Sequence, residues 1–283
     1  MLPDDRVCTM IYQYVLEFYQ QHGLYDSQHD YQDKIKHLVF FYTCEKITIQ
    51  HIHDYCTMRK LHGVKNSTIN RELTLIRSAI NYYNKHHDDQ LLNPFNGFKL
   101  FEADFMPRYL DAVECSRLLK SALEYDNQRL HDFIMLALNT GCRAGELTTL
   151  KWQDVYLNDG YFVIRNSLSK NRKTVYKPIN SQASQAFERL DNTSAWVFYN
   201  ADTQKNVRSF RRGFEGAVKR SALGHVRIHD LRHTFASLLV KQGVPLFHVM
   251  QLLGHSDIRI TQKYAHLSPS CLAGCVAVLP NFV

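Results

Sequence analysis

Between residues 228 and 264 the chain carries two apolar helical patterns in quick succession, over 230–242 and 245–253, closed by Gly243 and Gly254. Glycine just past a helix end takes the left-handed conformation that lets the backbone reverse. Two helices therefore follow one another here, with a third, polar one starting at Ser256 and carrying Tyr264. Into the turns fall Ile228-His229-Asp230-Leu231-Arg232-His233, then Leu252-Leu253-Gly254-His255, then Tyr264. Asp230 suits an N-cap, which places His229 and Arg232 at the positive start of a helix, a natural anion site.

The rest of the chain divides by charge. Across 283 residues the formal net charge is +7, but residues 1–105 carry −2 and residues 106–283 carry +9. That length suits two domains with separate cores, and the asymmetry gives them different surfaces. In the acidic half, Arg59, Lys60, Lys65, Arg71, Arg77 and Lys85 stand against Glu72 alone, a local basic stripe. The seven cysteines are scattered without a C-x-x-C pair, so they read as reduced thiols of a cytoplasmic protein. The start is acidic with no apolar leader, and the most apolar late stretch, 271–279, is too short to span a bilayer.

Helical spacing runs over 10–19, 35–42 and, from a Ser67 cap, on to Tyr83, ending before Asn93-Pro94. The expected division is 1–98, a linker over 99–107, and 108–283. The second part opens with helices over 112–123 and 131–138. Residues 161–164 and 174–176 are β-prone and flank Ser169-Lys170-Asn171-Arg172-Lys173, which predicts a hairpin with a basic tip. Helices follow over 184–190 and 210–220. The expected class is mainly α with a small antiparallel β-sheet.

Four pieces carry chemistry. Thr140-Gly141-Cys142-Arg143-Ala144-Gly145-Glu146-Leu147 offers a guanidinium held by a carboxylate three residues on. The second is the His229–His233 cluster. Its H-x-x-x-H spacing resembles metal ligation, but no glutamate stands beside the first histidine and Arg232 would put a cation beside the metal. No metal is expected. The third, Leu252 to Tyr264, also reads as a helix-turn-helix. The fourth is the basic tip. Two arginines, two histidines and a lysine around a tyrosine suit phosphodiester transesterification without a metal. Guanidiniums neutralise the non-bridging oxygens, imidazole and cations help a phenol of pKa about 10 to ionise, and lysine protonates the departing 5′ oxygen.

From His229 to Pro269 the runs His-Asp-Leu-Arg-His-Thr-Phe-Ala-Ser, Leu-Leu-Gly-His and Tyr-Ala-His-Leu-Ser-Pro stand in the order found in tyrosine recombinases, the phage integrase family, which the chain resembles. The resemblance extends back through Thr-Gly-Cys-Arg-Ala-Gly-Glu-Leu and, more weakly, Ser-Thr-Ile-Asn-Arg-Glu-Leu at 67–73. It implies Arg143, Lys170, His229, Arg232 and His255 as the activating set, Glu146 as support and Tyr264 as nucleophile. Lys173 lies on the same tip as Lys170 and competes for its role. Ile260-Thr261 replaces the family's usual Thr-Thr. The resemblance also implies an all-α core-binding domain ahead of an α+β catalytic domain, clamped on double-stranded DNA. Lys65, Ser67, Asn70, Arg71, Arg172 and Lys173 are then the DNA-contacting candidates.

The implied activity is site-specific recombination through a 3′-phosphotyrosyl intermediate, with no cofactor, metal or ATP. The implied assembly is a homotetramer on DNA, a monomer or weak oligomer when free, with accessory proteins possible and no membrane. The helical pattern begins near residue 8, which leaves no room for an extra arm-binding domain. Residues Leu272, Val276 and Leu279 form an apolar stripe that either folds back on its own domain or, as the resemblance implies, is donated to a neighbouring protomer. The competing readings are a type IB topoisomerase, a helix-turn-helix regulator and a metal nuclease.

Overall fold

The computed structural model describes residues 36–42, 44, 46–88, 91–102, 108–124, 127–165 and 174–268, and divides into two compact units, 1–105 and 106–283. The helix expected over 10–19, the tip with Lys170, Arg172 and Lys173, and the stripe of Leu272, Val276 and Leu279 lie outside the described residues.

In the first unit a 3₁₀ turn, Lys36–Leu38, leads into the short helix α1, Val39–Tyr42. Helix α2 spans Ile49–Leu61 and starts on a reciprocal cap. Thr48 Oγ1 accepts from the His51 backbone, and His51 Nδ1 accepts from the Thr48 backbone. Helix α3 spans Asn66–His86. Leu38, Phe41, Ile52 and Tyr55 close on Ile69, Leu73, Ile76, Ile80 and Phe95 to make one core. The helix cap differs from expectation: Lys65, not Ser67, is the N-cap. The turn at Gly63, with φ of 69°, leaves only Val64 and Lys65 outside helix before α3 begins.

Helix α3 also stops at His86, well short of Asn93-Pro94. That pair opens a 3₁₀ turn, Pro94–Asn96, whose Phe95 N–H donates to Asn93 Oδ1 at 3.1 Å. Beyond it, Phe98, Leu100 and Phe101 pack on the first core. The Asn70 amide donates to the Phe101 carbonyl at 2.7 Å and accepts from the Phe101 N–H at 3.0 Å. Residues 99–102, read from sequence as linker, thus belong to the first unit.

The second unit is built on α4, Ala112–Leu123, and α5, Gln128–Thr140. Next come the short α6, Ala144–Thr148, and an antiparallel sheet in the order β1 (Val155–Tyr156), β2 (Tyr161–Ile164), β3 (Val175–Pro178). Ile164 pairs with Val175 at the end of the hairpin that leads to the basic tip. Helix α7, Ser181–Arg189, is tied to α5 by Arg189 and the fully buried Asp132 at 2.6 Å. A two-stranded ribbon, β4 (Tyr199–Asn200) with β5 (Lys205–Asn206), precedes α8, Arg211–Arg220. Helices α9 (Ile228–Lys241), α10 (Leu246–Leu253) and the one-turn α11 (Arg259–Gln262) follow, and a 3₁₀ turn, Ala265–Leu267, ends the described part. Ala236, Val240, Val249, Leu253 and Tyr264 form a small core of their own.

Candidate active site

The chain leaves α5 through Gly141, with φ of 61°. A Cβ there would sit 2.4 Å from the Phe235 ring, so only glycine lets the backbone pass. Two residues later Arg143 caps α6, and Glu146 serves it twice. One carboxylate oxygen accepts from the Arg143 backbone N–H at 2.7 Å, the other from its guanidinium at 2.7 Å. Glu146 is buried, while the Arg143 side chain is 27% exposed, so the guanidinium is fixed yet open to solvent.

Arg232 is buried on α9. Its two terminal nitrogens donate to the Gly141 and Leu253 carbonyls, each at 2.8 Å. Both acceptors sit at helix C-termini, the negative ends of α5 and α10. Burial and the nearby Arg143 charge pull its pKa down to about 10. Asp230 is not the N-cap of α9: Arg227 is, and the buried Asp230 carboxylate accepts from the Arg227 N–H at 2.8 Å. The helix begins earlier than the sequence pattern suggests, so Arg232 lies in its second turn. Its seat comes from the two carbonyls, not from the helix start.

Helix α10 ends on Gly254, with φ of 68°, and the next residue is His255. His255 Nδ1 lies 2.8 Å from the hydroxyl of the buried Thr261, the residue that keeps one threonine of the usual pair. Burial and the surrounding cations push the His255 pKa down to about 3. His229 is exposed in the first turn of α9, and partial desolvation and the Arg232 charge lower its pKa too. Tyr264 lies between α11 and the 3₁₀ turn Ala265–Leu267, not within a long polar helix. It is 1% exposed, and burial raises its pKa to about 12.

Three side chains missed as contributors by sequence reasoning complete the site. Lys177, 2% exposed on β3, donates to the Thr140 carbonyl at 3.4 Å and to the Leu252 carbonyl. With Arg232 it forms a pair of buried cations across the seam between the ends of α5 and α10. Burial depresses the Lys177 pKa. The signal was a lysine at the inward position of an alternating strand. Thr261 orients His255, and His233, weighed from sequence only as a metal ligand, lies 2.5 Å from the Tyr264 hydroxyl. Among the described residues no group of three or more His, Cys, Asp or Glu side chains is placed to hold a metal.

In the first unit the candidates separate. Lys65, Ser67 and Arg71 are exposed, whereas the Asn70 amide is occupied by Phe101. Arg59 leaves the basic stripe: it is 6% exposed and pairs bidentately with Glu72, which also accepts from the Tyr55 hydroxyl. The helix-turn-helix reading fails on α11, which is four residues long and too short for a recognition helix, with Tyr264 packed in the core behind it.

The sequence pattern of the phage integrase family matches residues 108–270. The chain belongs to the phage integrase family. Among curated relatives it is 30% identical to the integrase of Escherichia phage P2, over 83% of this chain and 66% of that one. It is 30% identical to the tyrosine recombinase XerC of Pseudomonas syringae pv. syringae, over 80% of this chain and 78% of the relative. The fold resembles the Tn1549 transposon integrase solved with a circular intermediate DNA, at a TM-score of 0.73 and 19% identity over 94% of this chain and 98% of that one. It also resembles the catalytic domain of bacteriophage HP1 integrase, at a TM-score of 0.52 and 29% identity over 62% of this chain and 96% of that domain. The matched stretch of this phage integrase relative holds every described side chain of the candidate site, from Arg143 to Tyr264.

Proposed function

We propose that this protein is a site-specific DNA recombinase that breaks and rejoins double-stranded DNA through Tyr264. The observation that carries the reading is the seam at the ends of α5 and α10. Arg232 bonds the Gly141 and Leu253 carbonyls, and two residues beyond each lies another candidate, Arg143 and His255. One buried guanidinium thereby holds two half-buried groups in register, the preorganisation that a charged transition state rewards.

In the proposed reaction Tyr264 gives its phenolic proton to a site imidazole, its oxygen attacks the scissile phosphorus and the bond to the 5′ oxygen breaks. Charge builds on the non-bridging oxygens, where Arg143 and Arg232 offer donors. Arg232 uses two of its five N–H groups on carbonyls, leaving others for phosphate. The leaving 5′ oxygen takes a proton from Lys170 or Lys173. The phosphotyrosyl bond conserves the energy of the phosphodiester, so a 5′ hydroxyl from another strand reverses the step and joins the DNA. Lys65, Ser67 and Arg71 supply phosphate contacts from the first unit, and Arg172 and Lys173 from the hairpin tip. These contacts position more than they specify.

We assign the working form to four protomers on two DNA sites, with the stripe of Leu272, Val276 and Leu279 passed to a neighbour around the ring. A cytoplasmic enzyme fits this reading, and no helix among the described residues is long and apolar enough to cross a membrane. The test uses a pool of nicked duplexes tiling the DNA on either side of the gene. Expected is a denaturant-resistant protein–DNA adduct with a free 5′ hydroxyl, formed equally in chelator. Adducts that need a divalent metal, or products ending in 5′ phosphate, would overturn the proposal.

A further inference from the structure

The proposed nucleophile is withdrawn from the surface. Tyr264 is 1% exposed and packs against Ala236, Val240, Val249 and Leu253. Its hydroxyl lies 2.5 Å from Nδ1 of His233, itself 3% exposed on α9. The two rings are tilted at 52° with centroids 5.9 Å apart, so the contact is in line with a ring nitrogen, not a stack. His233 in turn meets His229 edge to face at 4.8 Å.

The proton stays on the phenol. Burial raises the Tyr264 pKa to about 12, and burial together with the Lys263 and His229 charges lowers that of His233 to about 3. Asp230 pulls His233 the other way and Arg227 adds to the lowering, so the charges around the ring leave it neutral. A neutral imidazole hydrogen-bonded to a neutral phenol is a poor route to phenolate. Held there, Tyr264 is neither ionised nor presented to a phosphate that approaches through the half-buried Arg143 and the exposed His229.

Resting on Tyr264 as nucleophile, we propose that His233 is a positioning residue that holds the Tyr264 hydroxyl in a withheld seat, which bound DNA must empty before the tyrosine attacks. The bond costs the free enzyme nothing in chemistry and protects it from cleaving out of place. Removing it shifts the tyrosine toward the released position.

The test first reads the DNA-free protein. Tetranitromethane nitration is followed residue by residue in peptide digests, with Tyr176, 67% exposed, as the internal standard. In wild type Tyr264 nitrates at least 10-fold more slowly than Tyr176. His233→Ala removes most of that protection, while His233→Gln, whose carbonyl accepts the same hydroxyl proton, retains it at the same thermal midpoint. Should the alanine variant not fold, His233→Leu, which fills the space without an acceptor, takes its place with the same expectation. In single-turnover cleavage of the nicked duplex pool, the variant without an acceptor forms adduct at least threefold faster than wild type. Unchanged protection of Tyr264 without an acceptor overturns the proposal. So does cleavage slowed more than 10-fold in that variant, which would make His233 part of the chemistry. Absence of adduct with wild type would count against the recombinase reading, and the nitration result would still decide the latch.

Discussion

Arg232 and Arg143 have similar proposed duties and different surroundings, and their variants should separate accordingly. Arg143→Ala and Arg232→Ala each remove one donor to a charged transition state and should slow adduct formation about 10²- to 10³-fold. Arg232→Ala also strips the Gly141 and Leu253 carbonyls of buried donors, at about 1–3 kcal/mol. Arg143→Ala leaves its own backbone N–H capped by Glu146 and costs little stability. Urea titration alongside single-turnover cleavage reads both effects, and equal stability losses would contradict the seam. The histidines set a pH dependence. His233 and His255 titrate near 3 in the folded protein and near 6.5 when unfolded, so below 6.5 the unfolded chain takes up protons that the folded one refuses. Their contribution is fully present above about pH 6.5 and falls as pH drops toward 3, by up to about 1.4 kcal/mol per pH unit for each. Urea midpoints from pH 7.5 to 5 should fall, and less so in His233→Gln. A midpoint flat over that window would contradict the burial of these rings.

At the scale of elements, most described helices were legible, α4 to its bounds, while the starts of α3 and α9 were not. Asp230 looked like an N-cap but is the third helical residue, bonding back to the Arg227 N–H, and Glu146 does the same for Arg143. A carboxylate can serve from either end of the first turn, and the sequence does not say which. Arg143, His255 and Tyr264 stand out in the sequence because glycines and short spacings surround them. Lys177 was not, because only the fold brings β3 beneath the ends of α5 and α10. Asn70 was read as a DNA contact because it sits among basic residues, yet its amide closes the segment at Phe101. Neutralising Lys65 and Arg71 should therefore flatten the salt dependence of DNA binding by about one unit of slope each. Asn70→Ala should leave the slope alone and lower the first unit's stability by about 1–2 kcal/mol. A slope change in Asn70→Ala, or none on neutralising Lys65 and Arg71, measured by anisotropy from 50 to 300 mM salt, would reverse these assignments.

For the whole molecule, the division of charge anticipates two units, and the family pattern falls within the second, basic one. What the sequence placed least well is the link between them, because aromatic residues at 98 and 101 that lack periodicity still find a core to pack on. The central claim is that Tyr264 is the group that joins protein to DNA. The most direct measurement is mass spectrometry of the trapped adduct after nuclease and protease digestion. A nucleotide should remain on the peptide containing Tyr264, attached through a 3′ phosphate, and Tyr264→Phe should yield no adduct. A nucleotide on any other residue, or an adduct that persists in Tyr264→Phe, would contradict it.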